Sequence, residues 1–336
     1  MKNHDLNMLL YRIANYYYTE NLSQNEIAKL ENVSRSQISR LLIMARERGF
    51  VEIKLSMPNI GTEAIQEQLQ TRLGVRKVMI AQSKSTETII SSDDDSIIDL
   101  ATYAAAVVPT LICDSNIIGL GWGRTIYNVA VQLPIARENS KKLFLSLVGN
   151  SGTRNPYLQT SSIVNRFSER FASSAFYANS AFIYYCDLLP KTIPDEPIEQ
   201  LKQYWSQLDA AIIGVGPKPE GQSFYISEIE ATGISRDSVL YQSATGEMLG
   251  HLFNENGQIN WGDLTSAAFQ FIGIPLDLLK SIPNVICIAS GGTKIAAIID
   301  AAHNQFFSTL ITDFSTAKLL LDELEIPSNN DTGIDA

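Results

Sequence analysis

Two patterns of hydrophobic and polar positions divide this chain into a short N-terminal part and a long C-terminal part. Up to residue 49 the apolar positions recur every three or four residues, which predicts helices. From Val75 onward short apolar runs alternate with helical patterns, which is typical of a mostly parallel sheet covered by helices on both faces. We therefore predict an α/β protein with a small helical domain at its N-terminus.

The stretch over residues 23–49, SQNEIAKLENVSRSQISRLLIMARERG, predicts two helices joined by a tight turn. Each helix opens with a capping box, formed by Ser23 with Glu26 and by Ser34 with Gln37. Asn32 stands where the turn requires a left-handed residue. This spacing is typical of a helix-turn-helix, and an ordinary helical hairpin inside a larger core is the alternative.

A winged helix-turn-helix domain over residues 1–56 is the interpretation that the flanking segments favour. A helical pattern over 6–18 precedes the motif, and an alternating run over 50–55 is typical of a wing strand. The outward face of the second helix carries side chains that can hydrogen-bond base edges or phosphates of double-stranded DNA. We expect contacts to an operator from Ser34, Arg35, Ser36, Gln37, Ser39 and Arg40.

Residues 57–325 are predicted as one α/β domain, followed by a polar, disordered tail over 326–336. The strands are expected over 78–81, 117–122, 143–148, 210–215, 248–253, 285–289 and 309–312. The helices are expected over 62–73, 96–108, 125–133, 161–171, 293–303 and 315–321. The acidic triplet at 93–95 is interpreted as helix capping and not as a metal site, because no fourth ligand lies nearby in the sequence.

The charge of the chain is divided unevenly between the two parts. The 336 residues carry a net charge of −10. Residues 1–54 contain eight Lys/Arg and six Asp/Glu, which gives +2 and leaves −12 for the rest. This sign suits phosphate contact at the N-terminus and disfavours DNA wrapped around the acidic body. Because +2 is modest, a single copy should bind weakly, and we expect an oligomer.

The composition favours a cytoplasmic protein. No run of eighteen apolar residues is present to span a membrane, and residues 1–15 lack the apolar core of a signal peptide. Cys113, Cys186 and Cys287 are widely spaced in apolar surroundings, so we expect buried free thiols and neither disulfides nor a metal site. No cofactor is expected.

Glycine-rich turns follow several of the predicted strands: GWGRT at 121–125, LVGNSG at 147–152, GVGP at 214–217 and SGGTK at 290–294. In a parallel sheet these turns meet at one edge, where ligands bind. Glycine turns that open helices offer free backbone amides to anions. The turns predict a pocket for a small polyhydroxylated or phosphorylated ligand; a purely structural role is the alternative.

A family resemblance rests on the segment VSRSQISRLLIMARERGFVEIKL and on five later blocks in the same order. These are IGLGWGRT, SLVGNSG, IGVGP, GEMLGHLFNENG and IASGGTKIAAI. Over nearly its whole length the chain resembles the SorC/DeoR-type family of sugar-responsive bacterial transcriptional regulators. The resemblance implies an effector domain related in fold to sugar-phosphate isomerases, which binds a sugar or sugar phosphate without turning it over. It also implies a tetramer on palindromic operators.

The predicted effector site combines this resemblance with the strand-end turns. Glu247 is expected to accept from sugar hydroxyls, Lys294 to pair with a phosphate, and Asp313 either to orient a hydroxyl or to cap the next helix. Asn150 stands where the family more often has glycine. The full set is Gly121, Trp122, Gly123, Arg124, Thr125, Asn150, Ser151, Gly152, Gln159, Glu247, Gly292, Lys294 and Asp313.

Three functions are compatible with these features. We predict a transcriptional regulator of carbohydrate metabolism genes whose operator affinity depends on the bound sugar. A sugar-phosphate isomerase or deaminase with an added DNA-binding domain is the alternative, but it needs an acid/base pair, and the turns show no closely spaced carboxylate–His or carboxylate–carboxylate pair. A constitutive DNA-binding scaffold is the third.

Overall fold

The structure is a computed structural model. It describes residues 3–51, 62–81, 93–136, 140–151, 155, 157, 159–178, 180–185, 195–220, 235, 237–260 and 269–325. The chain divides into two compact units, Met1–Pro58 and Asn59–Ala336. Among the helices in these ranges, none has the length and apolarity needed to cross a membrane.

The N-terminal unit contains helices α1 (Asn3–Ala14), α2 (Gln24–Leu30) and α3 (Arg35–Glu47), with a π-helical turn after α1. Ile13, Ile27 and Ile38 are fully buried between the helices. Both predicted capping boxes are present, and Asn32 has the expected left-handed conformation at φ 54°. The helix-turn-helix prediction is therefore confirmed.

Two details of the N-terminal prediction differ from the structure. The helix expected over 6–18 is α-helical only to Ala14, and residues 15–19 continue it as a π-helix. Phe50 and Val51 are not in a strand, and residues 52–55 of the expected wing lie outside the described ranges.

The C-terminal unit contains thirteen strands within its described part. They are β1 (Lys77–Ala81), β2 (Ile117–Leu120), β3 (Leu143–Ser146), β4 (Ser174–Phe176), β5 (Ile183–Tyr185), β6 (Ala210–Ile213), β7 (Gly216–Pro217), β8 (Gly246–Met248), β9 (His251–Asn254), β10 (Gly257–Gln258), β11 (Phe269–Phe271), β12 (Asn284–Ile288) and β13 (Thr309–Asp313). Its helices are α4 (Glu63–Leu73), α5 (Asp93–Leu111), α6 (Arg124–Gln132), α7 (Thr160–Arg170), α8 (Asp195–Trp205), α9 (Val239–Gln242), α10 (Leu276–Leu279), α11 (Ile295–His303) and α12 (Phe314–Glu325).

Seven of the strands form one parallel sheet in the order β1-β13-β12-β6-β2-β3-β4. The α/β prediction with a mostly parallel sheet is confirmed. From β2 the chain moves outward to β3 and β4, whereas from β6 it moves the other way to β12 and β13. This reversal makes the carboxyl ends of β2 and β6 the topological switch point, where open parallel sheets bind their ligands.

One strand prediction is wrong, because its residues belong to two strands of a separate antiparallel sheet, β10-β9-β8-β7. Residues 248–253 were expected to form a single strand, but they are split between β8 and β9 of a hairpin. Leu249 and Gly250 form its turn, with φ of 53° and 81°. Two consecutive positive φ values are the geometry of a tight two-residue hairpin turn, and they end the strand after Met248.

The prediction of buried thiols is confirmed for Cys287 and is wrong for Cys113. Cys287 is fully buried in β12, but Cys113 is exposed. Cys113 follows the end of α5, and its carbonyl accepts a hydrogen bond from Lys142 Nζ at 2.8 Å. Leu111 ends α5 and Ile112 is buried directly after it, but the cysteine that follows them is exposed in the turn. Cys186 and the tail over 326–336 lie outside the described ranges.

Gly149, which follows β3, is expected to be intolerant of a side chain. A Cβ at this position would lie 2.7 Å from backbone atoms of Ala181 and Phe182, which cannot rotate away. We expect Gly149→Ala to lower the free energy of unfolding by about 1–3 kcal/mol, measured by urea denaturation. Gly214→Ala is the control, because the nearest atoms there are 3.8 Å away. Equal stability of the two variants would contradict this packing.

Candidate functional site: a cavity at the sheet edge and an exposed recognition helix

A cavity of about 150 Å³ lies at the switch point. The turn from β2 into α6, the turn from β6 into β7, strand β8, and the segment that opens α11 all contribute to its wall. Ile97, near the start of α5, adds an apolar side chain. The lining residues are Ile97, Trp122, Gly123, Arg124, Thr125, Ile126, Gly214, Val215, Gly216, Glu247 and Lys294.

The turn after β2 contains two glycines, and each has a different structural role. At Gly121 a Cβ would lie 2.8 Å from Cδ2 of Leu249, so the turn packs directly against the β8–β9 hairpin. Gly123 has φ of 119°, which side-chain-bearing residues rarely adopt, and its N–H donates to the Tyr157 carbonyl at 2.9 Å. These constraints place the start of α6, at Arg124, on the wall of the cavity.

Glu247 on β8 provides the cavity with a carboxyl group. Gly250 N–H donates to its Oε1 at 2.6 Å, and the indole of Trp122 makes a second hydrogen bond to the carboxylate. Burial raises the pKa of Glu247 to about 7, even though both hydrogen bonds and the charge of Lys294 favour the ionised form. This group can therefore accept hydrogen bonds from a ligand near neutral pH and can also carry a proton.

Lys294 ends the short 3₁₀ turn Gly292–Lys294, from which α11 continues. Burial lowers the pKa of Lys294; the charge of Arg124 also lowers it, whereas Cys287 and Glu247 raise it. The cavity thus combines two basic side chains with one carboxyl group. This arrangement suits a ligand that has an anionic or strongly accepting group at one end and hydroxyl donors at the other.

The structure brings six of the predicted effector residues together on the cavity wall. They are Trp122, Gly123, Arg124, Thr125, Glu247 and Lys294. Gly121 lies behind the wall against Leu249, and Gly292 is the exposed first residue of the 3₁₀ turn that carries Lys294. Gly152 lies outside the described ranges.

The other predicted residues are engaged in local structure and do not line the cavity. Asn150 Oδ1 accepts from Ser161 N–H at 3.0 Å, and Gln159 Nε2 donates to the Ser151 carbonyl at 3.0 Å. Asp313 Oδ1 accepts from Thr316 N–H at 2.7 Å, so the capping alternative is the one observed. A contact of these residues with an effector stays a prediction.

The predicted set omits five residues of the cavity wall, which are Ile97, Ile126, and Gly214, Val215 and Gly216 of the turn after β6. Ile97 is one apolar residue of α5, and nothing in its neighbourhood distinguishes it from a core position. Gly216 belongs to the GVGP turn that follows β6, so its signal was present in the sequence.

The exposed face of α3 is the second candidate site. Arg35, Ser36, Gln37 and Arg40 are exposed, and Ser39 is half-buried. Ser34 caps the helix and exchanges hydrogen bonds with Gln37. All six predicted DNA-contacting residues thus lie at the start of α3 or along its first turns.

The comparison with protein families identifies the C-terminal unit. Residues 58–322 match the family model described as "Putative sugar-binding domain", which covers well over half of the chain. The chain belongs to this sugar-binding domain family. The resemblance to SorC/DeoR-type regulators is confirmed by relatives that align with nearly the whole chain.

The sorbitol operon regulator of Klebsiella pneumoniae is 24% identical over 328 residues, which is 96% of this chain and all of that protein. The deoxyribonucleoside regulator of Bacillus subtilis is 26% identical over 317 residues, or 93% of this chain and 96% of the relative. The crystal structure of full-length SorC from Klebsiella pneumoniae has the same fold, with a TM-score of 0.70, 23% identity, and coverage of 94% of this chain and 98% of SorC.

Proposed function

We propose that this member of the sugar-binding domain family is a transcriptional regulator of carbohydrate metabolism genes. Residues 1–56 bind a double-stranded DNA operator, and residues 57–325 bind a sugar or sugar phosphate and hold the chain in a tetramer. The protein acts in the cytoplasm without membrane contact or cofactor. The names of the full-length relatives support the regulatory role.

One observation carries the effector assignment. Arg124, Lys294 and Glu247 line one cavity at the switch point of the parallel sheet. The basic side chains suit phosphate or hydroxyl oxygens, and the carboxylate suits hydroxyl donors. A bound effector would contact the turns after β2 and β6 and strand β8 at once, and thus favour one arrangement of these elements.

Control of DNA binding requires the effector to bind one arrangement of subunits more tightly than another. A coupling free energy of about 1–3 kcal/mol changes operator affinity roughly 5- to 150-fold. The spacing between the recognition helices of paired subunits is the quantity that such a change alters, because operator half-sites are at fixed separations.

A thermal-shift screen of the full-length protein against sugars, sugar alcohols and their phosphates tests the proposal. At 100 to 1,000 times its dissociation constant, an effector should stabilise the native state by about 2.7–4.1 kcal/mol. Lys294→Met should abolish the shift. Lys318→Met is the matched control and should retain it, since Lys318 is an exposed residue of α12 that contacts the Phe314 ring.

Absence of a shift with every compound would count against a sugar effector. Equal effector-induced thermal shifts in wild type and Lys294→Met would instead mean that the effector binds outside this cavity. DNA binding is measured separately, by electrophoretic mobility shift with upstream DNA of the gene that encodes the protein.

A further inference from the structure

The two capping boxes of the N-terminal unit share one geometry but differ in one residue. In the first box, Glu26 Oε2 accepts from Ser23 N–H at 2.7 Å and from Ser23 Oγ at 2.6 Å. In the second, Gln37 Oε1 accepts from Ser34 N–H at 2.9 Å and from Ser34 Oγ at 3.1 Å. In both boxes the serine hydroxyl accepts from the backbone N–H three residues later.

The second box fixes the orientation of the Gln37 amide. A backbone N–H can only donate, so the atom that faces Ser34 N–H must be the oxygen of the amide and cannot be its nitrogen. The Oε1 atom is therefore occupied by the cap. The Nε2 atom, with its two N–H donors, is the remaining functional end of this exposed side chain.

The choice of Gln over Glu has a cost at this position. A carboxylate near a helix N-terminus is favoured by the helix dipole, and Glu26 uses this advantage in α2. The same carboxylate on α3 would place a negative charge beside DNA phosphates. Gln37 preserves the acceptor that the cap needs, removes the charge and adds two donors.

We propose that Gln37 reads DNA as a donor only, with Nε2 directed to guanine O6 and N7 while Oε1 stays in the cap. Residues at the N-terminus of a recognition helix are those that contact base edges, and Gln37 is the third residue of α3. Glutamine recognises adenine through a donor and an acceptor together, and this cap removes the acceptor. The inference rests on the proposed DNA-binding function.

A selection experiment with the full-length protein tests this inference. Wild type and Gln37→Glu each select duplexes from a library with a fully randomised centre, and the enriched duplexes are then used in competition titrations. Gln37→Glu keeps the capping oxygen but converts the free end from a donor to an acceptor. We expect one position of each half-site to change from guanine in wild type to cytosine in the variant, because a carboxylate accepts from cytosine N4.

The expected discrimination at that position is roughly 5- to 150-fold. Glu26→Gln makes the reverse substitution in the equivalent box of α2, and it should leave the selected sequence unchanged. A thermal melt followed by circular dichroism confirms that each variant is folded.

Three results would overturn the inference. A wild-type preference for adenine at the position altered by Gln37→Glu would mean that Oε1 leaves the cap. An equal loss of affinity of Gln37→Glu for all duplexes, relative to wild type, would mean that Gln37 contacts only phosphate. No enrichment by wild-type protein would overturn the proposed DNA-binding function itself, and this inference with it.

Discussion

Replacing Glu247 with glutamine is expected to raise the free energy of unfolding at pH 8 by about 3 kcal/mol. Burial raises the pKa of Glu247 from 4.5 to about 7, so at pH 8 the native state holds a charge that its surroundings disfavour. Glutamine carries no charge and still offers an oxygen to Gly250 N–H and to the Trp122 indole. The variant therefore removes the cost of the charge without removing the acceptor.

The pH dependence gives this prediction its sign. Between pH 4.5 and about 7 the native state binds a proton at Glu247 that the unfolded chain has lost, so the contribution of Glu247 to wild-type stability falls as the pH rises through this window. Above that window the contribution is constant. The difference between variant and wild type should be small near pH 4.5 and complete by pH 8.

Urea denaturation at pH 5, 6, 7 and 8 measures the difference. Glu255→Gln, which makes the same substitution at an exposed carboxylate beyond the end of β9, is the control for replacing a glutamate outside the cavity. A constant offset between Glu247→Gln and wild type across this range would contradict the assignment of the titration to Glu247.

Stability and function make opposite demands on Glu247. A neutral residue would be more stable at this position, but only a carboxylate offers a charged acceptor to ligand hydroxyls in the cavity. We expect Glu247→Gln to reduce the effector-induced thermal shift even as it raises the melting temperature at pH 8. Functional sites commonly retain such destabilising groups.

The features that the sequence predicted well are those that depend on neighbours within a few residues. The capping boxes of α2 and α3 span three residues each, and the left-handed turn at Asn32 depends on one residue. The parallel sheet was predictable because buried strands such as β6, AAII, contain only apolar residues.

The features that it did not predict depend on contacts between distant parts of the chain. Strand order places β2 beside β6, and no local pattern encodes this pairing. The break between β8 and β9 depends on a turn whose first residue, Leu249, is an unusual choice for a positive φ. The sequence of the short strand β4, SAF, does not by itself predict a strand, and the segment is one because it pairs with β3.

The effector site was predicted only in part, for a related reason. Polar residues near strand ends can serve either the ligand or the local backbone, and composition does not distinguish these uses. Asp313 and Asn150 accept hydrogen bonds from the first turns of α12 and α7, whereas Glu247 accepts from Gly250 and Trp122 on the cavity wall. Only the three-dimensional positions of the donors separate the two groups.

His251, four residues after Glu247, should make the protein sensitive to acid. Its ring is fully buried, its Nε2 lies 3.1 Å from the Ile274 carbonyl, and Nδ1 has no hydrogen-bond partner within the described residues. Burial lowers the pKa of His251 to about 3, against 6.5 for the ordinary side chain. Below pH 6.5 the unfolded chain binds a proton that the native ring excludes, so stability falls by about 1.4 kcal/mol per pH unit down to about pH 3.

His251→Gln should remove this loss, because an amide can donate to the Ile274 carbonyl and does not titrate in this range.

In wild type the titration of Glu247 opposes that of His251 between pH 4.5 and 6.5, so stability should vary little there and fall steeply only below pH 4.5. In the Glu247→Gln background the fall should begin near pH 6.5 and disappear when His251→Gln is added. A wild-type acid transition that persists unchanged in His251→Gln would assign it to other groups. If this pattern is found, the opposed titrations of Glu247 and His251, which lie on one hairpin, keep the free energy of unfolding nearly constant over much of the pH range in which Glu247 changes charge.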